Sequence, residues 1–521
     1  MSYTYLHIRT EQNNKICQHL HRTTLSLIIG TVFCTATVAR ADCVANPVPN
    51  IKGGVDMICE GTGISQDISL LGNGQNNNVM VQGNNTSISS NIFGANFSSS
   101  LPISDNILLT GNTVTLNDNV VVSYDIIGAI IVTNSSKSLT VTGNSVILND
   151  NAYTFRGAYG GYIENNGTSD ITVAGNSLTL NDNAYLSDVA IGGSGYKRHT
   201  GNVTVSGNSV TFNNNARVPF YVRGAWGTSY DTGNIIVTGN SVTLNDNAGV
   251  NNTNYANIYG GWADKQGGGD ITMTENSVTL NDNAYVNNDI YGGYVDVSGD
   301  LVTSVNITDN TVNIRNSARV SGSLYGGFID GPGTAGYYDS FTGNTLNVAA
   351  APFELSGEMA NFEHYNFTVD PAHVNSDTAL ITADTIVFGT SEYNMNGGEA
   401  NTSKIQVVGI KAGQELFADD KFVLMRATDT MSGEAEGLTT RGIAQQGVSL
   451  LYDVRTDVDI NGKLVTATIL GNNKPVDPVD PETPAARVNP QLKALSEGHL
   501  ASAMMLTRGG DTLAYNTVHT I

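Results

Sequence analysis

The sequence predicts an all-β chain folded as a parallel β-helix, a β-solenoid of 32–36-residue repeats. Three observations predict it. A ten-residue phrase, "GNSVTLNDNA" at Gly239 to Ala248, recurs in close copies at nearly constant intervals. Apolar side chains alternate with period two inside each copy. The composition, with 57 Gly among 521 residues and only 14% charged, suits stacked, turn-rich β-structure.

Taking the Asn of each "GNS" or "GNT" as a mark places Asn112, Asn144, Asn176, Asn208, Asn240, Asn276, Asn310 and Asn344 at intervals of 32, 32, 32, 32, 36, 34 and 34 residues. A period in this range is the signature of a repeat architecture, in which each unit buries its apolar face against its neighbours. Two and four residues beyond each mark stand apolar side chains, such as Val146 and Leu148 or Val242 and Leu244. Thr115, Thr179, Thr211, Thr243 and Thr279 lie between them. This is the pattern of a half-buried strand; a helix would need period 3.6. A second landmark, aromatic-Gly-Gly-aromatic, follows 15 residues after most marks, at Tyr159, Tyr259, Tyr291 and Tyr325, with diverged versions at Ile127, Ile191 and Arg223. Extra residues of the longer copies fall between the landmarks, so insertions protrude from turns. Equivalent residues should stack in columns about 4.8 Å apart, where Asn side chains form amide ladders and Asn takes the left-handed backbone of tight turns. Each repeat is either one wide coil or two shorter coils alternating between the landmarks.

The flanks divide as follows. Residues 1–41 read as a secretory signal: Arg9, Lys15 and Arg22 precede an apolar run from Leu25 to Val38, and Ala39-Arg40-Ala41 is a small-x-small cleavage site. The apolar run is too short for a stable membrane span. Residues 42–107 form an amino-terminal cap and first coils, 108–350 the repeat solenoid, and 351–471 the carboxyl part and cap, with strand-like runs at Ala379, Ser403, Lys421 and Leu464. Caps are needed because open solenoid ends expose unpaired strand edges. Residues 472–490 are a Pro-rich linker, and 491–521 carry a short helix stopped at Gly509-Gly510.

The whole chain has 25 basic and 47 acidic residues. Removing the signal takes away Arg9, Lys15, Arg22, Arg40 and Glu11, leaving 21 basic and 46 acidic residues, net about −25. Nucleic acid is therefore not an expected partner. Cys17 and Cys34 leave with the signal. Cys43 and Cys59 are expected to form a disulfide in an oxidising compartment, contributing roughly 3 kcal/mol; two thiols alone make no zinc site.

Two columns invite a chemical reading. Asp118, Asp150, Asp182, Asp246 and Asp282, interrupted by Asn214, repel by roughly 0.9 kcal/mol per neighbouring pair in water, so they form a solvated acidic turn or, as the alternative, bind calcium. No other cofactor is expected. Tyr162, Trp226, Trp262, Tyr294 and Phe328 form an aromatic column that packs against its own edge or, as the alternative, offers a glycan platform at Trp226, Trp262 and Tyr294. Catalytic residues are not expected: there is no G-x-S-x-G and no H-E-x-x-H, and the basic cluster Lys197-Arg198-His199 reads as a solvated turn.

The signal, the Asn- and Gly-rich repeats, the stretch "VGIKAGQELFADDKFVLMRA" ending at Ala427 and the stretch "NPQLKALSEGHLASAMML" from Asn489 to Leu506, in that order, resemble a Gram-negative classical autotransporter with an adhesin-like passenger. The resemblance covers nearly the whole chain. It implies a right-handed, pectin-lyase-like parallel β-helix displayed at the outer membrane, a virulence-type surface function without catalysis, and a helix leading from Asn489 to Leu506 into a translocator barrel. Only 15 residues follow Leu506, too few for such a barrel, which is expected to be supplied elsewhere or lost. The protein is then expected to be exported through the inner membrane, reaching the cell surface if a barrel is available and the periplasm otherwise. Expected partners are host glycans, matrix proteins or sister passengers. The alternatives are a glycan-degrading enzyme on the same scaffold and a truncated, non-displayed remnant.

Overall fold

A computed structural model of the chain describes residues 42–45, 54–69, 74–100, 103, 105–252, 256–298, 302–331, 337–389, 402–437, 442–447, 450–470 and 487–488. The signal segment, most of the Pro-rich linker and the 491–521 segment lie outside the described residues. The chain divides into Met1–Ala39 and Arg40–Ile521; only the second is described.

Apart from one turn of 3-10 helix at Pro371–His373, the named elements are strands. A regular coil contains four of them, as in Leu139–Thr142, Ser145–Leu148, Tyr153–Thr154 and Ala158–Asn165. Each pairs in parallel with its equivalent one repeat later: Leu139 with Ile171, Val146 with Leu178, Tyr153 with Tyr185, Tyr159 with Ile191. The fold is thus a parallel β-solenoid, and each repeat is one wide coil. The Tyr153-type strands build a nine-stranded sheet, the Leu139-type strands an eight-stranded sheet, and the other two ladders join in one larger sheet.

The marked asparagines are the organising feature. Asn112, Asn144, Asn176, Asn208, Asn240, Asn276, Asn310 and Asn344 are at most 1% exposed. The amide of each donates to the Oδ1 of the next, at 2.8–3.1 Å, and Asn77 extends the ladder by one rung. The amide is fully used. Asn208 shows the pattern: its Nδ2 donates to Asn240 Oδ1 and to the Val173 carbonyl, and its Oδ1 accepts both the backbone N–H and the Nδ2 of Asn176. Burying such a group is tolerable only because each donor and acceptor is satisfied. One expectation is corrected. The left-handed backbone belongs to the residue before the mark, Gly143, Gly175, Gly207 and Gly239 at φ 61–64°, with Glu275 and Asp309 in the longer copies, and not to the Asn. A second left-handed position is the Asp of "NDN", with Asn214 in its place in one coil.

The second landmark exists because of the first. A Cβ added to Gly161 would lie 2.7 Å from Asn176 Cγ, and one on Gly193 2.5 Å from Asn208 Cγ. The second glycine of the pair therefore faces the asparagine of the following mark across the interior, and only Gly, or the small Ala that stands there as Ala129 and Ala225, leaves space for the amide. This waist splits each coil into two apolar lobes. Val146, Leu148, Ala152 and Ala158 lie in one; Ile163, Ile171 and Val173 lie in the other, all at most 1% exposed. Each such aliphatic side chain larger than Ala contributes on the order of 1.5–3 kcal/mol by leaving water.

Both ends of the stack are closed by antiparallel strands. Asp42–Ala45 pairs with Asp56–Glu60, placing Cys43 opposite Cys59, to which it is disulfide-bonded. At the other end Leu450–Asp459 and Leu464–Leu470 form an antiparallel pair that also bonds Gly442–Gln446 and Lys421–Gly433, bridging the ends of the two long ladders. Such closure removes edges that would otherwise recruit other chains.

Asn208→Leu is expected to cost about 3 kcal/mol or more, because several buried partners lose their hydrogen bonds. Asn183→Ala, in the solvent-exposed asparagine ladder, should change stability by less than about 0.5 kcal/mol. Urea unfolding followed by circular dichroism compares the two, and equal losses would remove the buried ladder from its organising role. Gly193→Val, measured in the same way, should cost about 1–3 kcal/mol through overpacking at the waist, where the neighbouring coil carries nothing larger than Ala225.

Candidate ligand-binding face

The long strand carries the candidate face, and its glycine pair sets the geometry. In Ile258–Lys265 the side chain of Ile258 enters one lobe and that of Ala263 the other. Tyr259 and Trp262, three apart, both join an aromatic cluster outside those lobes. Repetition turns these two positions into two interlocked columns. Tyr259, Tyr291 and Tyr325 stack at 4.9 and 5.1 Å, nearly parallel. Tyr294 and Phe328 stack at 5.6 Å. Between the columns the rings meet edge to face: Tyr259 with Trp262 at 4.6 Å, Tyr291 with Tyr294 at 5.2 Å, Tyr325 with Phe328 at 4.9 Å. Each such pair adds about 0.5–1.5 kcal/mol beyond its buried area. Because Tyr294 and Phe328 stack on one another, their ring faces are partly covered by each other.

The phenols are anchored as well as packed. Tyr291 donates to Asp289, Tyr325 to Glu358 and Tyr294 to Asp330, while the Tyr259 hydroxyl accepts from Asn257. Burial pushes all four phenols well above the usual tyrosine range.

One coil breaks the pattern with a charge. Arg223 takes the place of the tyrosine beside Tyr259. It is 5% exposed, and its guanidinium carbon sits 4.0 Å from the ring centre of Trp262 and 4.4 Å from that of Trp226, with Tyr221 and Tyr259 farther out. Burial lowers its pKa to about 10, so the guanidinium stays charged at neutral pH. Arg223 Nε, Trp226 Nε1 and Trp262 Nε1 are buried donors without an acceptor. Trp226, Trp262 and Tyr294 are half-buried, so the three residues read from the sequence do share one face.

Two positions beyond the second aromatic column runs a row of acids. Asp264, Asp296 and Asp330 are register neighbours on successive coils. Burial, and secondarily the charge of Asp296, raises Asp264 to about 6, and its Oδ1 has no hydrogen-bond partner. Asp296 is raised by its own burial and by Asp330.

The other sequence-derived columns lie elsewhere. Asp118, Asp150, Asp182, Asp246 and Asp282 occupy the left-handed turn after the Asn-marked strand. Their carboxylates are partly engaged: the backbone N–H of Asp118 donates to Asp150 Oδ2, that of Asp150 to Asp182 and that of Asn214 to Asp246. Among the described residues, groups of three or more His, Cys, Asp or Glu able to hold a metal ion do not occur. Lys197 corrects the solvated-turn expectation. It is fully buried, ends the long strand Ala190–Lys197 and donates to the Gly167 carbonyl, while Arg198 and His199 are exposed. Lys265 repeats the arrangement, donating to Ser229 Oγ and to the carbonyls of Asp231 and Gly233. Burial lowers both lysines to about 8.

Sequence reasoning missed Arg223 and Asp264 as site residues. The only signal was the break in the aromatic-Gly-Gly-aromatic landmark at Arg223, where a long cation stands in a tyrosine position. No family model, curated protein or solved structure matches the chain.

The Asp264 carboxyl titrates near 6 in the folded chain against 3.8 ordinarily, so between those values the folded state binds the proton more tightly than the unfolded one. Its contribution to stability therefore falls as pH rises through this window. Asp264→Asn should remove that fall and raise stability at neutral pH by about 1 kcal/mol, solvent screening at the half-exposed edge limiting the gain. Thermal melts across the window check this; parallel profiles for the two proteins would contradict it.

Proposed function

We propose that the protein is an exported, autotransporter-type passenger whose solenoid binds partners at the cell surface without chemical conversion. The observation that carries this reading is repetition in register. A half-exposed aromatic position recurs coil after coil at Trp226, Trp262, Tyr294 and Phe328, backed by the buried column of Arg223, Tyr259, Tyr291 and Tyr325. A face built this way offers the same contact several times at fixed spacing, so weak contacts made together gain strength through effective concentration. The partner classes are host glycans, matrix proteins and sister passengers. The signal-like segment at residues 1–41 supports export, and the acidic balance of 47 acidic against 25 basic residues argues against nucleic acid.

A second reading is favoured by one observation, the Asp264 and Asp296 carboxyls on adjacent coils beside the aromatic face, both raised above the usual carboxylate range. A carboxyl raised toward neutrality beside a second carboxyl is the kind of pair that glycosidases use for acid–base and nucleophilic work. In that reading the chain is a glycan-degrading enzyme on the same scaffold.

One experiment separates the two. The full chain is incubated with immobilised polysaccharides and matrix proteins at high and low surface density, and both retention and newly formed reducing ends are measured. The passenger reading expects retention that strengthens with density and no reducing ends. Retention independent of density would remove the multivalent argument, and reducing ends lost in Asp264→Asn would establish the enzyme. Protease accessibility on intact cells tests surface display.

A further inference from the structure

We infer that Arg223, Trp226 and Trp262 form a site for an oxyanion, a carboxylate or sulfate carried on an acidic polysaccharide that lies along the stack. This rests on the reading of the solenoid as a binding passenger and names the chemistry of its ligand. Three N–H donors, Arg223 Nε, Trp226 Nε1 and Trp262 Nε1, are buried without acceptors, in a cluster only 4.0 and 4.4 Å across from the guanidinium carbon to the two indole centres. Buried donors normally find acceptors, and leaving one unmatched is unfavourable. Three together around a cation call for a partner that supplies several acceptor oxygens and a negative charge. Among the described residues no carboxylate bonds it: Asp188 acts on Arg223 only through space, behind burial and the neighbouring tyrosines. In a chain with nearly twice as many acids as bases, a 95%-buried arginine without a carboxylate partner is an exception, and a ligand anion completes it by charge-assisted hydrogen bonds.

The neighbourhood selects a saccharide as the carrier. Both indoles and Tyr294 are half-buried and present apolar surface beside the cation. The acid row from Asp264 through Asp296 to Asp330 runs alongside; it offers acceptors for sugar hydroxyls and repels anionic groups other than the one held at Arg223. Coils repeat every ~4.8 Å, close to the length of one hexose unit in an extended chain, so each sugar meets one coil and a single anionic group is read at Arg223.

The chain contains two tryptophans, and both are in this site, so the intrinsic tryptophan emission of the full chain reports on it alone. Titration with a polyuronate, a sulfated polysaccharide, a neutral polysaccharide and inorganic sulfate is expected to give a saturable emission change with one or both acidic chains and none with the neutral one. Response to the polyuronate alone identifies a carboxylate, and response to the sulfated chain alone a sulfate ester. Arg223→Gln should weaken the response about tenfold or more, Arg223→Lys should retain part of it, and circular dichroism confirms that each variant is folded. An equal response to neutral and acidic chains, or an equal response to inorganic sulfate and the sulfated chain, overturns the assignment. If the emission is blind to every anion while the chain is still retained on polysaccharide or matrix surfaces, this site falls and the passenger reading stands. If the emission responds but the chain is retained on no surface, the passenger reading falls instead.

Discussion

A buried side-chain amide can exist only if all of its hydrogen-bonding capacity is met, and the marked asparagines meet it by bonding to their own copies. That condition propagates through the molecule. An amide that must find an identical amide about 4.8 Å away requires an identical residue at the same point of the next coil. The period, the parallel register and the single wide coil per repeat all follow from it. Lengthened copies keep the rule: Asn240 reaches Asn276 across 36 residues with the same geometry that joins Asn208 to Asn240 across 32, because the extra residues fall outside the ladder.

The same ladder dictates what stands opposite. Space for the amide exists because the facing strand carries Gly-Gly, or Gly-Ala in the coils that hold Ala129 and Ala225. Because the waist carries amides and nothing apolar larger than an Ala methyl, it divides the interior into two lobes, and the long strand switches from one lobe to the other at the glycine pair. That switch turns residues on both sides of the pair outward, which is why aromatic rings come in two adjacent columns and interlock edge to face. The candidate binding face is thus a geometric consequence of a polar ladder on the inside of the sheet.

Against this regular background the charged departures stand out for the same physical reason: burial. Lys197 and Lys265 point inward and tie their ammonium groups to carbonyls or hydroxyls of the preceding loop, so their role is to hold the chain where it leaves the long strand. Arg223 points into rings instead, with cation–π contacts on two sides and donors left over. A structural cation is saturated by its own chain; this one is not, and that contrast separates a staple from a recognition group.

Much of the fold was legible in the sequence. The intervals between asparagines, the Val-x-Leu alternation and the aromatic-Gly-Gly-aromatic landmark are local patterns, and stacking copies them into columns without changing their neighbours. The sequence by itself therefore determined the strand content, the repeat length and the identity of the columns. It did not determine that Gly161 faces Asn176, that the aspartate and not the asparagine of "NDN" takes the left-handed turn in most coils, that Lys197 turns inward next to two exposed polar residues, or that Arg223 is sealed between Trp226 and Trp262. Those outcomes depend chiefly on residues 15 to 39 positions apart meeting across or between coils, as Gly161 meets Asn176 and Arg223 meets Trp262, where the burial of a group is set by what its spatial neighbours leave uncovered. Only the tertiary structure decides that, because solvation and hydrogen-bond satisfaction belong to the assembled stack and not to any one repeat.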